Sequence, residues 1–264
     1  MKQRILTAII AFALFVPFVV VGGLPFTIVI YAIATIGLFE LLRMREIHLL
    51  SIEGLLTWFI LAVLLMPAHW ESFLLQAWNY TKVEMAFAVV LILLTYTVIV
   101  KNRYTFDHAA FSVLAALYVG IGFYYFNETR LYGIEYVVYA LIVIWTTDSG
   151  AYFIGRKIGK RKLWPDISPN KTIEGFVGGI LSAIVFACVF QLLYPIAPSY
   201  IVLIFVTLIA SIVGQLGDLV ESALKRHYNV KDSGKLLPGH GGILDRFDSL
   251  LFVLPLLHFL HFVG

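Results

Sequence analysis

Four polar side chains recur at helical spacing in an apolar stretch that ends in a basic run. They occupy positions i, i+3, i+4 and i+7 and are Asp218, Glu221, Ser222 and Lys225. Residues at this spacing share one face of an α-helix. Because polar groups are costly inside an apolar helix bundle, we expect this face to line a water-filled cavity or a ligand site.

A glycine-rich turn and two carboxylates follow further along the chain. Residues 239–242 read Gly-His-Gly-Gly, and Asp245 and Asp248 lie one helical turn apart at the start of the next apolar segment. Two like charges at that spacing repel each other unless a cation joins them. Together with Asp218 they would suit Mg²⁺, which prefers oxygen ligands. The glycine-rich turn can present backbone N–H groups to phosphate oxygens.

Two further residues extend this pattern. Asp148 lies inside an apolar segment, where a charged side chain costs about 2.5–3.5 kcal/mol, so we expect it to face the bundle interior. Lys171 follows a serine–proline turn and directly precedes a helical segment, and a lysine beside a helix N-terminus is suited to binding an anion. Carboxylates, cations and a glycine turn together predict a phosphoryl- or nucleotidyl-transfer site.

Each part of this pattern also has a purely structural explanation. Asp245 stands where aspartate commonly caps a helix, and Asp148 can serve helix packing. The basic residues 156–162 suit an anchor to anionic lipid headgroups. The complete combination is harder to explain in this way, because caps and surface loops do not require so many acids and bases in one region.

The composition defines the environment of these residues. Of 264 residues, 61% are hydrophobic and only 13% are charged, and the mean hydropathy is +0.91. An average soluble domain is about 25% charged, so these values exclude a disordered chain and an ordinary soluble globule. The single cysteine, Cys188, excludes a disulfide framework and a cysteine metal site.

The hydropathy pattern predicts an all-α, polytopic transmembrane helical bundle of about nine spans. The predicted spans are 5–21, 26–42, 50–66, 85–100, 109–125, 134–155, 174–194, 200–222 and 243–262. A cytoplasmic N-terminus and an outer C-terminus place 16 of the 19 lysines and arginines in cytoplasmic segments and Arg246 at the cytoplasmic edge of the last span, with only Lys82 and Arg130 outside. Cytoplasmic loops are enriched in these residues, so the charges support this topology.

We expect three regions along the chain. Residues 1–66 form an N-terminal three-helix membrane scaffold, residues 67–133 a middle segment with two spans, and residues 134–264 a C-terminal four-span catalytic region. The aromatic-rich segment 69–84 is either a short interfacial helix or a loop at the membrane surface. The catalytic region is assigned to the second half because six of the seven aspartates lie at or after Asp148.

Residues 222–248 resemble the signature of phosphatidate cytidylyltransferases, also called CDP-diacylglycerol synthases. The matching positions are Ser222, Leu224, Lys225, Arg226, Lys231, Asp232, Gly234, Leu237, Pro238, His240, Gly241, Gly242, Ile243, Asp245, Arg246, Phe247 and Asp248. Segments 148–152 and 168–175 are also similar to the family, whereas residues 1–130 resemble it only as apolar spans.

The resemblance implies an integral membrane nucleotidyltransferase that converts CTP and phosphatidic acid to CDP-diacylglycerol and pyrophosphate in phospholipid synthesis. It also implies dependence on Mg²⁺, assistance from a second cation such as K⁺, and a homodimer. We expect the protein in the cell (inner) membrane with its site at the cytoplasmic face, and we expect no nucleic-acid partner.

The expected site residues fall into three overlapping groups. The metal ligands are Asp148, Asp218, Asp245 and Asp248. The catalytic residues are Asp218, Asp245, Asp248, Lys225 and Arg226. The substrate-binding residues are Lys171, Ser222, Lys231, His240, Gly241, Gly242 and Arg246.

Two other functions fit parts of the pattern. A CTP-dependent lipid or polyprenol kinase needs the same cations and a membrane site, but it releases CDP rather than pyrophosphate. A transporter also carries acids within the membrane, but it predicts polar residues through the full thickness of several helices. In this chain they cluster toward one side.

Overall fold

The computed structural model describes the backbone of residues 2–263 and, within that range, all side chains except those of residues 2–6, 8 and 74. The described part contains ten α-helices and one two-stranded antiparallel sheet. The helices are α1 (Lys2–Val21), α2 (Gly23–Met44), α3 (Ile52–Leu64), α4 (Ala68–Trp78), α5 (Lys82–Ile99), α6 (Phe106–Tyr132), α7 (Ile134–Ile158), α8 (Ile173–Leu193), α9 (Tyr200–His227) and α10 (Leu244–Phe259). The strands are β1 (Lys162–Trp164) and β2 (Ser168–Thr172).

The predicted all-α polytopic bundle is confirmed. Among the described residues, six helices, α2 and α5 to α9, are individually long and apolar enough to cross a membrane. The pair α3 and α4 makes a seventh candidate, bent by 97°. The aromatic-rich segment is therefore helical, as α4. Nine spans and the orientation of the termini stay predictions, and the side chains of Lys2 and Arg4 lie outside the described part.

The chain divides into two compact units. The first comprises Met1–Glu128 and Asp232–Asp245, and the second comprises Thr129–Lys231 and Arg246–Gly264. The division within α6 falls close to the predicted start of the C-terminal region at residue 134. Residues 232–245 lie in the first unit, and the division into three functional regions stays a prediction.

The first unit has α2 in its core. Phe26, Ile30 and Leu38 of this helix are each at most 1% exposed, as expected for apolar side chains packed against neighbouring helices. Thr27 is also buried, and its hydroxyl donates to Asn127 Oδ1 at 2.9 Å. A buried hydroxyl needs such a partner, so this contact fixes α2 against α6.

The second unit depends on the close approach of α7 and α8. A Cβ on Gly178 would lie 2.6 Å from the side chain of Ile154, and one on Gly179 would lie 2.7 Å from the carbonyl oxygen of Thr147. Small residues let membrane helices bring their backbones together. These glycines therefore serve helix packing, as their position inside an apolar helix suggests.

The segment before α8 differs from the expected turn. Residues 168–171 belong to β2, and the adjoining hairpin is closed by Glu174, whose carboxylate accepts from the backbone N–H of Lys160 at 3.0 Å. Thr172 then caps α8 by accepting from Gly175 N at 3.1 Å. Lys171 consequently lies directly before a helix, as predicted.

The end of α9 also differs from its predicted limit at residue 222. The helix continues to His227, so Lys225 and Arg226 lie in its last turn rather than in a loop. Basic side chains are favourable there because the C-terminal end of a helix carries partial negative charge. All four residues of the predicted polar stripe thus belong to one continuous helix.

The glycine contact between α7 and α8 makes a testable prediction. Gly179→Val should lower the free energy of unfolding by about 1–3 kcal/mol, because the added atoms meet the backbone of Thr147. Thermal unfolding of purified protein measures this. The control Val185→Leu enlarges a 61% exposed side chain of the same helix and should leave the midpoint unchanged. Equal midpoints for both variants would contradict this packing.

Candidate active site

Four acidic side chains of the second unit form what we call the carboxylate cluster. Its members are Asp148 on α7, Asp218 and Glu221 on α9, and Asp248 on α10. Asp148 experiences the negative charges of Asp218 and Asp248. Asp248 in turn interacts electrostatically with Asp218 and Glu221. Glu221 is buried, Asp218 and Asp248 are half-buried, and Asp148 is exposed at the surface of the described part, which departs from the expectation that it faces the bundle interior. Negative charge gathered in this way calls for compensating cations.

Two lysines supply part of this compensation. Lys171, at the end of β2, forms an ion pair with Asp218. Lys225 Nζ lies 3.4 Å from Glu221 Oε2, and the Glu221 side chain is fully buried. Lys225 also interacts favourably with Asp248. The structure therefore places five predicted site residues together, and they are Asp148, Lys171, Asp218, Lys225 and Asp248.

The predicted polar face of α9 is confirmed as a helical face. Ser222 Oγ donates a long hydrogen bond, 3.5 Å, to Asp218 Oδ1. A Cβ on Gly217 would lie 2.8 Å from the carbonyl oxygen of Asp248, so glycine at this position lets α10 approach α9. Glu221 was noted in the stripe but not predicted as a site residue, and its complete burial beside Asp248 adds it to the site.

The chemistry of the carboxylate cluster suits a hard cation, because every donor is a carboxylate oxygen. Within residues 2–263, however, no group of three or more Asp, Glu, His or Cys side chains is arranged as a ready metal-binding site. The ammonium group of Lys171 is paired with Asp218 instead. The predicted metal ligands thus remain predictions, although three of the four share one cluster.

The middle of the signature motif, residues 232–245, forms a loop of the first unit that we call the signature loop. Asp245 is its organising residue. Its Oδ2 accepts from Ser233 N at 2.8 Å, Ser233 Oγ at 2.9 Å and Gly242 N at 2.8 Å. All three donors come before the start of α10, so Asp245 holds the loop to the helix, and its role as a metal ligand stays a prediction.

A second carboxylate in this unit, Glu40 of α2, was not anticipated as functional. Its oxygens accept from Ile243 N at 2.8 Å and Leu244 N at 3.0 Å, and the residue is 2% exposed. Ser233 Oγ lies 2.8 Å from Glu40 Oε2, and its one proton is donated either to Glu40 or to Asp245 at a given moment. A signal was present in the sequence, because Glu40 is an acid inside an apolar span, which is the argument that singled out Asp148.

The glycines of the signature loop fit around these carboxylates. Gly241 has a φ of 82°, in the left-handed region that favours glycine. A Cβ on Gly242 would lie 2.3 Å from both Glu40 Oε1 and Ser233 Oγ. The N–H groups of residues 242–244 donate to Asp245 and Glu40, so these three amides have protein acceptors rather than being presented to a phosphate. Of these three residues only Gly242 belongs to the turn 239–242, and phosphate binding by that turn stays a prediction.

The remaining predicted residues lie at the edges of these arrangements. The backbone N–H of His240 donates to the carbonyl of Leu237 at 2.8 Å and closes the turn of the loop. Arg226 Nε donates to the carbonyl of Ile167 at 3.5 Å. Lys231 and Arg246 are exposed side chains at the limits of the second unit. Their predicted contacts with substrate stay predictions.

The contact between β2 and α9 can be tested without any assay of activity. In a Cys188→Ala background, Lys171→Cys with Asp218→Cys should react with a short bismaleimide to give an internal cross-link, because their side chains form an ion pair. Mass spectrometry of the digested protein detects it. Lys171→Cys with Tyr200→Cys is the control, since Tyr200 lies about 27 Å along α9 from Asp218. Cross-linking of the control alone would contradict the site.

Comparison with known proteins identifies the family of this chain. The model of the cytidylyltransferase family matches residues 2–263. The chain is 57% identical over 263 residues to a phosphatidate cytidylyltransferase of Bacillus subtilis, covering 98% of this chain and 97% of that protein. It is 49% identical over 260 residues to a phosphatidate cytidylyltransferase of Staphylococcus epidermidis, covering 98% of each chain. The chain therefore belongs to the cytidylyltransferase family.

Proposed function

We propose that this membrane protein transfers the cytidylyl group of CTP to phosphatidic acid, giving CDP-diacylglycerol and pyrophosphate in phospholipid synthesis. The observation that carries the proposal is the 57% identity, over nearly the full length of both chains, to a protein named phosphatidate cytidylyltransferase. The clustered carboxylates and lysines of α7, β2, α9 and α10 supply the charges that a reaction between two anions requires.

The chemical step is a displacement at phosphorus. A phosphate oxygen of phosphatidic acid forms a bond to the α-phosphorus of CTP, while the bond from that phosphorus to the oxygen bridging to the β-phosphate breaks. The leaving group is pyrophosphate. Because the attacking phosphate is already ionised at neutral pH, no strong general base is needed, and catalysis rests on positioning and charge neutralisation.

Four basic residues are proposed to contact the triphosphate and the lipid phosphate: Lys171, Lys225, Arg226 and Lys231. Lys171 and Lys225 already lie against the carboxylate cluster, where they balance Asp218 and Glu221. A polyphosphate offers the same ammonium groups additional anionic oxygens. Transfer of a lysine from a carboxylate to a phosphate would keep it paired throughout the cycle.

The carboxylate cluster fits Mg²⁺ in the kind of donor it offers, since all its ligating atoms are oxygens. We propose that Asp218 and Asp248 hold this ion and that Asp148 supports it or a second cation such as K⁺. Asp245 is retained as a proposed ligand from its position one turn before Asp248. When bound, the metal would neutralise negative charge on the phosphates and polarise the phosphorus under attack.

The location of the site is also part of the proposal. Lys171, Lys225, Arg226 and Lys231 belong to the segments that the distribution of basic residues assigns to the cytoplasm. A site there would bring soluble CTP together with a lipid headgroup. We propose the cell (inner) membrane as the location and a homodimer as the functional form.

The direct test is turnover by the purified protein in detergent with CTP, phosphatidic acid and Mg²⁺. We expect equal amounts of pyrophosphate and CDP-lipid, and loss of turnover when the metal is chelated. Asp218→Ala and Asp248→Ala should each lower kcat at least about 100-fold, because removing one charged group from a preorganised site has effects of that order. Asp107→Ala, at an exposed aspartate, is the control and should behave as wild type.

The products also separate the rival functions. Release of CDP with a phosphorylated lipid would replace the proposal by a lipid or polyprenol kinase. Solute movement in liposomes without CTP turnover would favour a transporter. Wild-type turnover in both aspartate variants would contradict the assignment of the carboxylate cluster as the site.

A further inference from the structure

Glu40 connects the apolar N-terminal half of the chain to the signature motif. The residue lies near the end of α2, and its three donors come from residues 193 to 204 positions further along the chain. Two of these donors, Ile243 N and Leu244 N, stand at the start of α10. The first N–H groups of a helix lack partners inside it, so Glu40 acts as a cap supplied by a distant helix.

The fit of the signature loop around Glu40 is tight. A Cβ on Gly234 would lie 2.3 Å from Glu40 Oε1, and a Cβ on Gly242 would lie at the same distance from that oxygen. Glycine at these two positions leaves the space that the carboxylate occupies. The hydroxyl of Ser233 lies between Glu40 and Asp245, 2.8 Å and 2.9 Å from their oxygens.

The direction of these contacts matters for the site. Two adjacent amides and one hydroxyl, all bound to one buried carboxylate, fix both the position and the orientation of the first turn of α10. Asp245 is the next residue after Leu244, and Asp248 follows one turn later on the same helix. A helix is stiff over one turn, so whatever sets its first residues also sets the direction of these aspartates.

We propose that Glu40 is a positioning residue. It holds the signature loop and the first turn of α10, and through them it sets the orientation of Asp245 and Asp248. This inference rests on the proposed function for its effect on turnover. Its structural part, the hold on the loop, is independent of the reaction. Glu40 itself touches no substrate in this scheme and acts through Ser233, Ile243 and Leu244.

The test compares Glu40→Gln with a matched variant of the same helix. Ile243 N donates to Oε1 of Glu40, whereas Leu244 N and Ser233 Oγ both approach Oε2. Glutamine keeps one of these oxygens and offers an N–H₂ group in place of the other, so either Ile243 N, or Leu244 N together with Ser233 Oγ, loses its acceptor. We expect hydrogen exchange in peptides covering residues 240–248 to accelerate at least tenfold. We also expect kcat to fall at least tenfold while the KM for phosphatidic acid stays near wild type.

The control is Thr27→Val, which removes another buried hydrogen bond of α2, to Asn127, without touching the loop. It should lower the midpoint of thermal unfolding but leave loop exchange and kcat per folded molecule at wild-type values. If Glu40→Gln does not fold, Ser233→Ala removes the hydroxyl between the two carboxylates and should show both effects more weakly.

Wild-type exchange in the loop of Glu40→Gln or Ser233→Ala would overturn the hold on the loop. A loss of turnover that only follows the folded fraction, as in Thr27→Val, would overturn the positioning role. If the wild-type protein made no CDP-lipid, the proposed function would fail by itself, while the exchange measurements would still decide whether Glu40 holds the loop.

Discussion

A carboxylate placed within apolar helices must be given a partner, and much of this structure follows from that requirement. Removing a charge from water without compensation costs far more than any single packing contact returns. Glu40 and Asp245 are therefore bound by donors from elsewhere in the chain, and Asp218 is paired with Lys171. The start of α10 accordingly lies beside Glu40, and α10 lies close to α9 at Gly217.

The two compact units meet this requirement in different ways. In the first unit, Glu40 and Asp245 are neutralised by backbone N–H groups and one hydroxyl, which are fixed dipoles. In the second unit, Lys171 and Lys225 pair with Asp218 and Glu221, and these are mobile side chains with full charges. Backbone N–H groups are held in place by the fold, so they suit a structural role. Flexible ammonium groups suit a role at phosphates, because they can exchange one anion for another.

Local patterns in the sequence predicted what depends on local geometry. The spacing of Asp218, Glu221, Ser222 and Lys225 indicated one helical face because α9 is regular, and the position of Lys171 before α8 was also correct. The hairpin of β1 and β2 was not anticipated, since its strands are only three and five residues long and lack an alternating apolar pattern. The role of Glu40 was missed because its partners lie about 200 residues further along the chain. A local sequence pattern cannot indicate a contact between residues so far apart in sequence. The resemblance of residues 222–248 to a known signature identified the family but not the residue that holds the signature in place.

The backbone N–H groups of residues 242–244 have acceptors within the protein, and this has a consequence for substrate binding. The carboxylates that accept from the amides of residues 242–244 belong to the chain itself, so this part of the loop is held without a ligand. The conformational entropy of ordering this segment is therefore lost during folding, before CTP or lipid arrives. A preorganised loop does not draw on the binding energy of the substrate, so more of that energy remains for bringing two mutually repelling phosphates into contact.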